Sequence, residues 1–182
     1  MAHLNQQRFC KKVKEIFPNY FKNVSVCDIG SLDINGSNHY LFEDYEYIGV
    51  DIGRGRNVNI VSLGHEFKPI NNKFDTVIST ECFEHDKYWD KTIINVCENL
   101  VKSGGMFLFT CATTGRPEHG TKKSNLTADS PFTSNIDNWS DYYMNITEED
   151  VKSKIKLDEY FIIYHFYVDI ESHDLYFWGI LK

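Results

Sequence analysis

The order of apolar segments in this chain predicts an α/β fold, a doubly wound and mostly parallel seven-stranded sheet with a C-terminal antiparallel hairpin and helices on both faces. Three observations carry this expectation. Short apolar runs alternate with helical or turn-forming segments as far as residue 111. Two aromatic-rich runs at the end, 160–168 and 175–181, are joined by too few residues for a crossover, so they must pair antiparallel. The first two apolar runs each end in an acid, Asp28 and Asp51, as strands do when their carboxyl ends face a ligand.

The elements follow in order. Phe9, Val13, Ile16 and Phe17 recur at helical spacing within an N-terminal segment, 1–20, and Pro18 stops that helix. Residues 24–28 form a buried strand, 37–44 a short helix, and 46–51 a second strand. The glycine-bearing loop 51–57 leads to a third strand over 58–61. Asn71-Asn72 marks a turn before a fourth strand, 74–79. Ile93, Val96, Cys97, Leu100 and Val101 describe an amphipathic helix capped by Gly104-Gly105, with the fifth strand over 106–111. Residues 112–146 then show neither period and carry Gly115, Pro117, Gly120 and Pro131, which suits a lid over a site. Thr147-Glu-Glu-Asp150 resembles a capping box opening a helix with Val151 and Ile155 inward. No repeat or internal boundary appears, so residues 1–182 form one domain.

Composition narrows the function. The formal charge is −7 with no basic run, so the phosphate-neutralising footprint of a nucleic-acid binder is missing. Lys11, Lys12 and Lys14 suit a solvated helix face. No apolar run reaches the roughly 20 residues needed to span a bilayer, and no signal-peptide core is present. The five cysteines (Cys10, Cys27, Cys82, Cys97, Cys111) never fall in C-x-x-C spacing, which predicts reduced thiols in a cytoplasmic protein. The four N-x-[ST] matches, at Asn23, Asn125, Asn138 and Asn145, are then chance. The seven histidines are scattered singly, so no metal is expected.

The richest stretch is Val24-Ser-Val-Cys-Asp28-Ile-Gly30-Ser31-Leu-Asp33-Ile-Asn35-Gly36-Ser37, followed by Tyr47-Ile-Gly-Val-Asp51. It suits a nucleoside lying across the ends of two neighbouring parallel strands, with glycines allowing close approach and the second acid taking both ribose hydroxyls. The full G-x-G-x-x-G of dinucleotide enzymes is missing.

From about residue 22 onward the chain resembles the class I, seven-stranded S-adenosylmethionine-dependent methyltransferases of the small-molecule type. Asp28, Gly30, Ser31, Asn35 and Gly36 stand where that family's Asp/Glu-x-Gly-x-Gly-x-Gly loop surrounds the methionine part of the cofactor. Asp51, with Ile52 beside it, matches the acid for the ribose. Asn59-Ile-Val-Ser-Leu63-Gly64-His65-Glu66 matches the adenine segment, with Leu63 where an Asp is common. Ile78-Ser-Thr80-Glu81-Cys-Phe-Glu84-His85 matches the pattern after strand four, and Leu100-Val-Lys-Ser-Gly-Gly resembles the leader into strand five, with Ser103 for Pro. The resemblance implies S-adenosylmethionine as cofactor, with S-adenosylhomocysteine as product, and cofactor contacts from these residues, Thr80 and Glu81 included.

Methyl transfer needs orientation, desolvation and, for a weakly acidic acceptor, a base. Glu84 and His85 are candidates for that chemistry. The lid segment Thr113-Thr114-Gly115-Arg116-Pro117-Glu118-His119-Gly120 offers His119 as base and Thr114 and Arg116 as acceptor contacts, and Tyr142 and Tyr143 could close over the acceptor. No Asn/Asp-Pro-Pro-Tyr/Phe tetrapeptide or catalytic Pro-Cys suggests base methylation. That leaves a small polar acceptor, such as a sugar or sugar nucleotide. The alternatives are a non-catalytic S-adenosylmethionine-binding module or partner subunit and, less favoured, an NAD-dependent oxidoreductase.

Overall fold

In the computed structural model, which describes residues 3–182, the strands are β1 (Ser25–Ile29), β2 (Glu46–Asp51), β3 (Ile60–Val61), β4 (Phe74–Thr80), β5 (Val101–Ala112), β6 (Phe161–Asp169) and β7 (Asp174–Leu181). They form one sheet in the order β3-β2-β1-β4-β5-β7-β6. β7 lies antiparallel between β5 and β6, and the other pairs are parallel. The chain leaves β1 toward β2 on one side and later returns to β4 on the other. That reversal opens a crevice above the carboxyl ends of β1 and β4.

Strand alternation sorts the core into two layers. Cys27, Ile29, Val77, Phe107, Phe109 and Phe177 face α2 (Trp89–Asn95) and α3 (Glu148–Lys154), which contribute Ile93 and Val151. Phe109 and Phe177 stack at 4.9 Å between ring centroids. On the other face, Val26, Ile78, Met106, Leu108 and Ile180 are covered by α1 (Leu4–Ile16) through Cys10 and Val13. Phe9 stacks on Tyr176 at 4.6 Å, whereas Ile16, expected to point inward, is exposed because the buried row is Gln6, Cys10 and Val13. Of the segment expected to be helical, residues 1 and 2 lie outside the described ones.

Several boundaries differ from expectation. The helix over 37–44 is a single 3-10 turn, Asn38–Leu41, and the third strand shortens to two residues. The helix before β5 does not run to the glycines. α2 ends at Asn95, a π-helical turn covers Val96–Leu100, and Val101 already pairs with Phe74. Gly104 and Gly105 therefore sit in an irregularity of β5, where the register jumps from Phe74↔Val101 to Thr76↔Met106. The apolar pattern that reads as one long helix is helix, π turn and strand in succession, because buried side chains are needed in all three. A short α4 (Leu157–Tyr160) was not anticipated.

The capping box before α3 is present, with Thr147 Oγ1 accepting from Asp150 N–H at 3.1 Å and the Asp150 carboxylate accepting from Thr147 N–H at 2.9 Å. Residues 112–146 carry only two 3-10 turns, Thr127–Asp129 and Thr133–Asn135, yet Thr133, Ser134 and Trp139 are buried. Asn23, Asn125 and Asn138, three of the N-x-[ST] asparagines, adopt positive φ and so mark turns. No helix among the described residues is long and apolar enough to cross a membrane.

Thr147→Ala is expected to lower stability by about 1 kcal/mol through loss of the cap. Phe177→Ala is expected to cost about 3–5 kcal/mol through the cavity it leaves. Urea unfolding midpoints at constant m-value measure both; equal losses would contradict the assignment of Phe177 to the core.

Candidate functional site

The crevice is an open-mouthed pocket. It is walled by the tips of β1, β2 and β4 and by the loops that follow them. All eleven residues expected to hold a cofactor (Asp28, Gly30, Ser31, Asn35, Gly36, Asp51, Ile52, Leu63, Gly64, Thr80 and Glu81) line it. His85 lines it as well, whereas Glu84 lies just behind, fully buried.

Hydrogen bonds fix the rim. Asp28 Oδ2 accepts from Asn38 Nδ2 and from the Tyr47 hydroxyl, both at 2.9 Å. Asn38 also donates to Thr80 Oγ1 at 3.1 Å, tying β1 to β4, and Asn57 donates to the Tyr47 hydroxyl at 2.7 Å. Asp51 accepts the N–H groups of Leu32 at 3.0 Å and Ile52 at 2.7 Å, so one carboxylate holds the loops after β1 and β2 together. Asp28 Oδ1 and Ser31 Oγ are buried with no partner, two acceptor atoms left over at the pocket wall. Asn38, Tyr47 and Asn57 escaped the sequence reading because each acts only through the side chain of another segment.

The pocket is acidic. Asp28, Asp51, Glu81, Asp86 and Asp129 line it, and among the described residues no lysine or arginine does. Burial pushes the Asp28 carboxyl up to about 7 against the pull of Asn38 and Tyr47. Burial raises Asp51 too, offset in part by the backbone N–H groups it accepts. Glu81 sits at φ +52, just past the end of β4. Burial alone would raise its carboxyl, but His3 beside it and a 2.9 Å bond from Thr110 Oγ1 bring it below the ordinary range. His3 in turn lies 2.7 Å from Asp174 and 3.6 Å from Glu81. Its burial lowers the imidazole pKa, but the two acids lift it to about 9, so His3 is charged at neutral pH.

The expected acceptor residues are placed differently. Thr114, Arg116, Tyr142, Tyr143 and His119 do not line this pocket. Arg116 donates to Ser172 O at 2.7 Å and pairs with Asp174 at 3.3 Å, so it braces the β6–β7 hairpin instead of waiting for an anion. Thr114 is exposed at a turn. His119 lies edge-on to His85 at 4.9 Å between ring centroids, with Tyr143 5.0 Å away, as a second layer behind the pocket wall. Burial lowers both imidazoles, His85 to about 3, so both are neutral at pH 7.

The lid contributes residues the sequence did not mark. Asp129, Ser130, Pro131, Phe132, Thr133 and Trp139 complete the pocket wall, with Phe132 against the loop after β2. Phe132 occupies the space a side chain on Gly53 would need, its ring 2.5 Å from where that Cβ would lie, and the His85 ring stands in the same relation to Gly120. Those glycines carry their own signal in the sequence. The ring that fills each gap is 79 and 35 positions away, which no local pattern encodes.

No protein-family model and no curated protein matches this sequence. Solved structures do match. The 1,6-didemethyltoxoflavin-N1-methyltransferase of Burkholderia thailandensis, with bound 1,6-didemethyltoxoflavin and S-adenosylhomocysteine, superposes with a TM-score of 0.64 at 11% identity over 97% of this chain and 78% of that one. Phosphoethanolamine N-methyltransferase 2 of Haemonchus contortus, in complex with S-adenosyl-L-methionine, gives 0.65 at 14% over 96% of this chain, which spans only 52% of that one. N-methyltransferase NodS of Bradyrhizobium japonicum, in complex with S-adenosyl-L-homocysteine, gives 0.60 at 12% over 97% and 87%. At these identities the likeness is one of fold: the chain, with its sheet order β3-β2-β1-β4-β5-β7-β6 and antiparallel end, has the class I, Rossmann-like fold of the S-adenosylmethionine-dependent methyltransferases.

Proposed function

We propose that the protein is an S-adenosylmethionine-dependent methyltransferase acting on a small polar acceptor, such as a sugar or sugar nucleotide. The observation that carries the cofactor is charge. Five acidic side chains line the pocket and, among the described residues, no lysine or arginine does, the one nearby cation being His3 behind Glu81. A sulfonium with an ammonium group is favoured in such a field, whereas the pyrophosphate of a nicotinamide dinucleotide meets like charge there. This argues against the oxidoreductase alternative independently of the incomplete glycine pattern.

The residues fit the cofactor. Asp28 Oδ1, buried and unpartnered at the end of β1, is an acceptor for the ammonium end, and Ser31 Oγ on the loop that follows is a second free acceptor. Asp51 retains acceptor capacity beyond the backbone donors it already takes and suits the ribose hydroxyls. Leu63 and Gly64 suit the adenine. When bound, the cofactor supplies a methyl group already activated by its sulfonium. The chain then has to exclude water and orient the acceptor, for which Glu81, His85 and the lid residues Ser130 to Thr133 are the groups at the wall. His85, and not His119, is the imidazole that reaches the pocket. Small acceptors in the names of the Burkholderia and Haemonchus enzymes support a small-molecule substrate here. The net charge of −7 and the five free cysteines suit a reduced, cytoplasmic setting and no nucleic-acid partner.

S-adenosylhomocysteine is expected to raise the melting temperature by mass action, and NAD to leave it unchanged. Asp51→Ala is expected to weaken S-adenosylhomocysteine binding about 10- to 100-fold by calorimetry, as loss of charge-assisted hydrogen bonds implies. Stabilisation by NAD alone would overturn the cofactor assignment.

The raised carboxyl of Asp28 sets a pH dependence. Its folded pKa of about 7 lies above the unfolded value, so its contribution to stability is present at low pH and is lost as pH rises through about 7. A bound cation favours the ionised form, so cofactor affinity is expected to rise by up to about tenfold from roughly pH 6 to pH 8. Asp28→Asn removes that slope; a slope that persists in the variant means another group is responsible. For the acceptor, a screen with radiolabelled S-adenosylmethionine is expected to label sugars or sugar nucleotides, and labelling of tRNA in their place would refute the sugar reading.

A further inference from the structure

Behind the His85 wall lies a second polar cluster that methyl transfer by positioning alone does not use. Glu84 and His85 stand on the 3-10 turn Phe83–His85 after β4, and His119 comes from the lid after β5. All three are buried, Glu84 completely. Among the described residues, neither Glu84 carboxylate oxygen, neither His85 ring nitrogen, nor His119 Nε2 has a hydrogen-bond partner, and the Tyr143 hydroxyl beside them is also unsatisfied. Native interiors pair almost all such atoms, so six orphans in one place call for something that bridges them.

We propose that Glu84, His85 and His119 bind a divalent transition-metal ion at the inner edge of the pocket. One donor atom from each of the three lies within 4.8 Å of the others, close enough for a single ion to gather them. The other nitrogen of His119, Nδ1, is 3.0 Å from Pro117 O. Donation to that carbonyl leaves Nε2 with its lone pair toward the cluster, the arrangement that orients metal-binding imidazoles. The turn and the lid are pinned to each other from two more directions, by Met144 N–H on Glu84 O at 3.0 Å and by the Trp139 indole on His85 O. Gly120 lets the lid backbone approach the His85 ring. The ligand-bearing segments are therefore held in place by contacts other than the ion.

Two imidazoles and one carboxylate select ions such as Zn²⁺, Fe²⁺, Co²⁺ or Mn²⁺ over Ca²⁺ and Mg²⁺, which prefer all-oxygen sites. The other group of three, His3, Glu81 and Asp174, does not qualify. Its members already pair with one another, His3 Nε2 lying 2.7 Å from Asp174 and 3.6 Å from Glu81. Three protein ligands leave a coordination position open, and His85 faces the pocket. On the methyltransferase reading, that position would take an oxygen of the acceptor and favour its ionised form. Ion binding itself does not depend on that reading. The expectation of no metal, drawn from the spacing of the histidines, did not allow for the lid returning His119 to His85.

The test uses the full chain stripped of metal, with Zn²⁺ and Co²⁺ as probes. One Zn²⁺ per chain is expected by equilibrium dialysis. Bound Co²⁺ is expected to show visible d–d bands without a thiolate charge-transfer band, which separates this site from the five cysteines. Glu84→Gln and His119→Ala are each expected to weaken Zn²⁺ by at least the roughly 10- to 100-fold that loss of an outer-shell partner alone causes. Absence of stoichiometric Zn²⁺, thiolate bands with Co²⁺, or variants of wild-type affinity would each overturn the site. If the variants fail to fold, the Co²⁺ spectrum of the unaltered chain decides. Calorimetry of S-adenosylhomocysteine on the stripped chain keeps the two proposals apart. Metal binding without cofactor binding sinks the methyltransferase reading only, and cofactor binding without metal sinks the ion site only.

Discussion

Asp28 is a carboxylate placed where the sheet reverses direction, out of reach of bulk water, and much of the surrounding architecture exists to hold it there. Its inner oxygen takes two donors, Asn38 and Tyr47, which come from the crossover after β1 and from β2. Asn38 reaches on to Thr80 at the tip of β4, and Asn57 supports Tyr47. A single desolvated acid thus recruits the loops on both sides of the crevice, and its second oxygen, Oδ1, is left buried without a partner among the described residues. Asp51 repeats the device one strand over by gathering backbone N–H groups. The cost of burying two carboxyl groups is accepted at the place where a cationic ligand would recover it.

The parts of the fold that were legible in the sequence are those governed by short periods. β2 matches its expected bounds, the strands 24–28 and 74–79 shift or lengthen by one residue, and the closing antiparallel pair and the Thr147 capping box are present. The segment from Ile93 to Val101 was misread because a helical period persists across a π turn and into a strand when every piece packs against the same layer. Along the pocket, residues that line it from their own strand tip were legible, among them Asp28, Asp51, Thr80 and Glu81. Those that act across space were not. Phe132 and Trp139 reach the pocket from a segment with no periodic signal, and His119 meets His85 across 34 positions of chain.

The lid is less loop than core. It buries Trp139, Thr133 and Ser134, and it shares hydrogen bonds with the turn after β4 and with the end of β5 through Ile146 N–H on Ala112 O. Arg116 anchors its first residues to the β6–β7 hairpin. Three structural regions far apart in sequence therefore share one boundary around the pocket. This is how a chain with no α-helix between β1 and β3 still encloses a site.

The missing side chains of Gly53 and Gly120 leave gaps that the Phe132 and His85 rings fill. Each glycine and its ring are two halves of one volume. Change at either member is constrained by the other: a larger residue at position 53 needs a smaller one at 132, and a smaller ring at 132 leaves a void that position 53 could then occupy. Divergence at this site should accordingly proceed by paired exchange at 53 and 132, whose identities should drift together or not at all in any set of relatives, whereas position 120, at φ +70, is held to glycine whatever stands at 85.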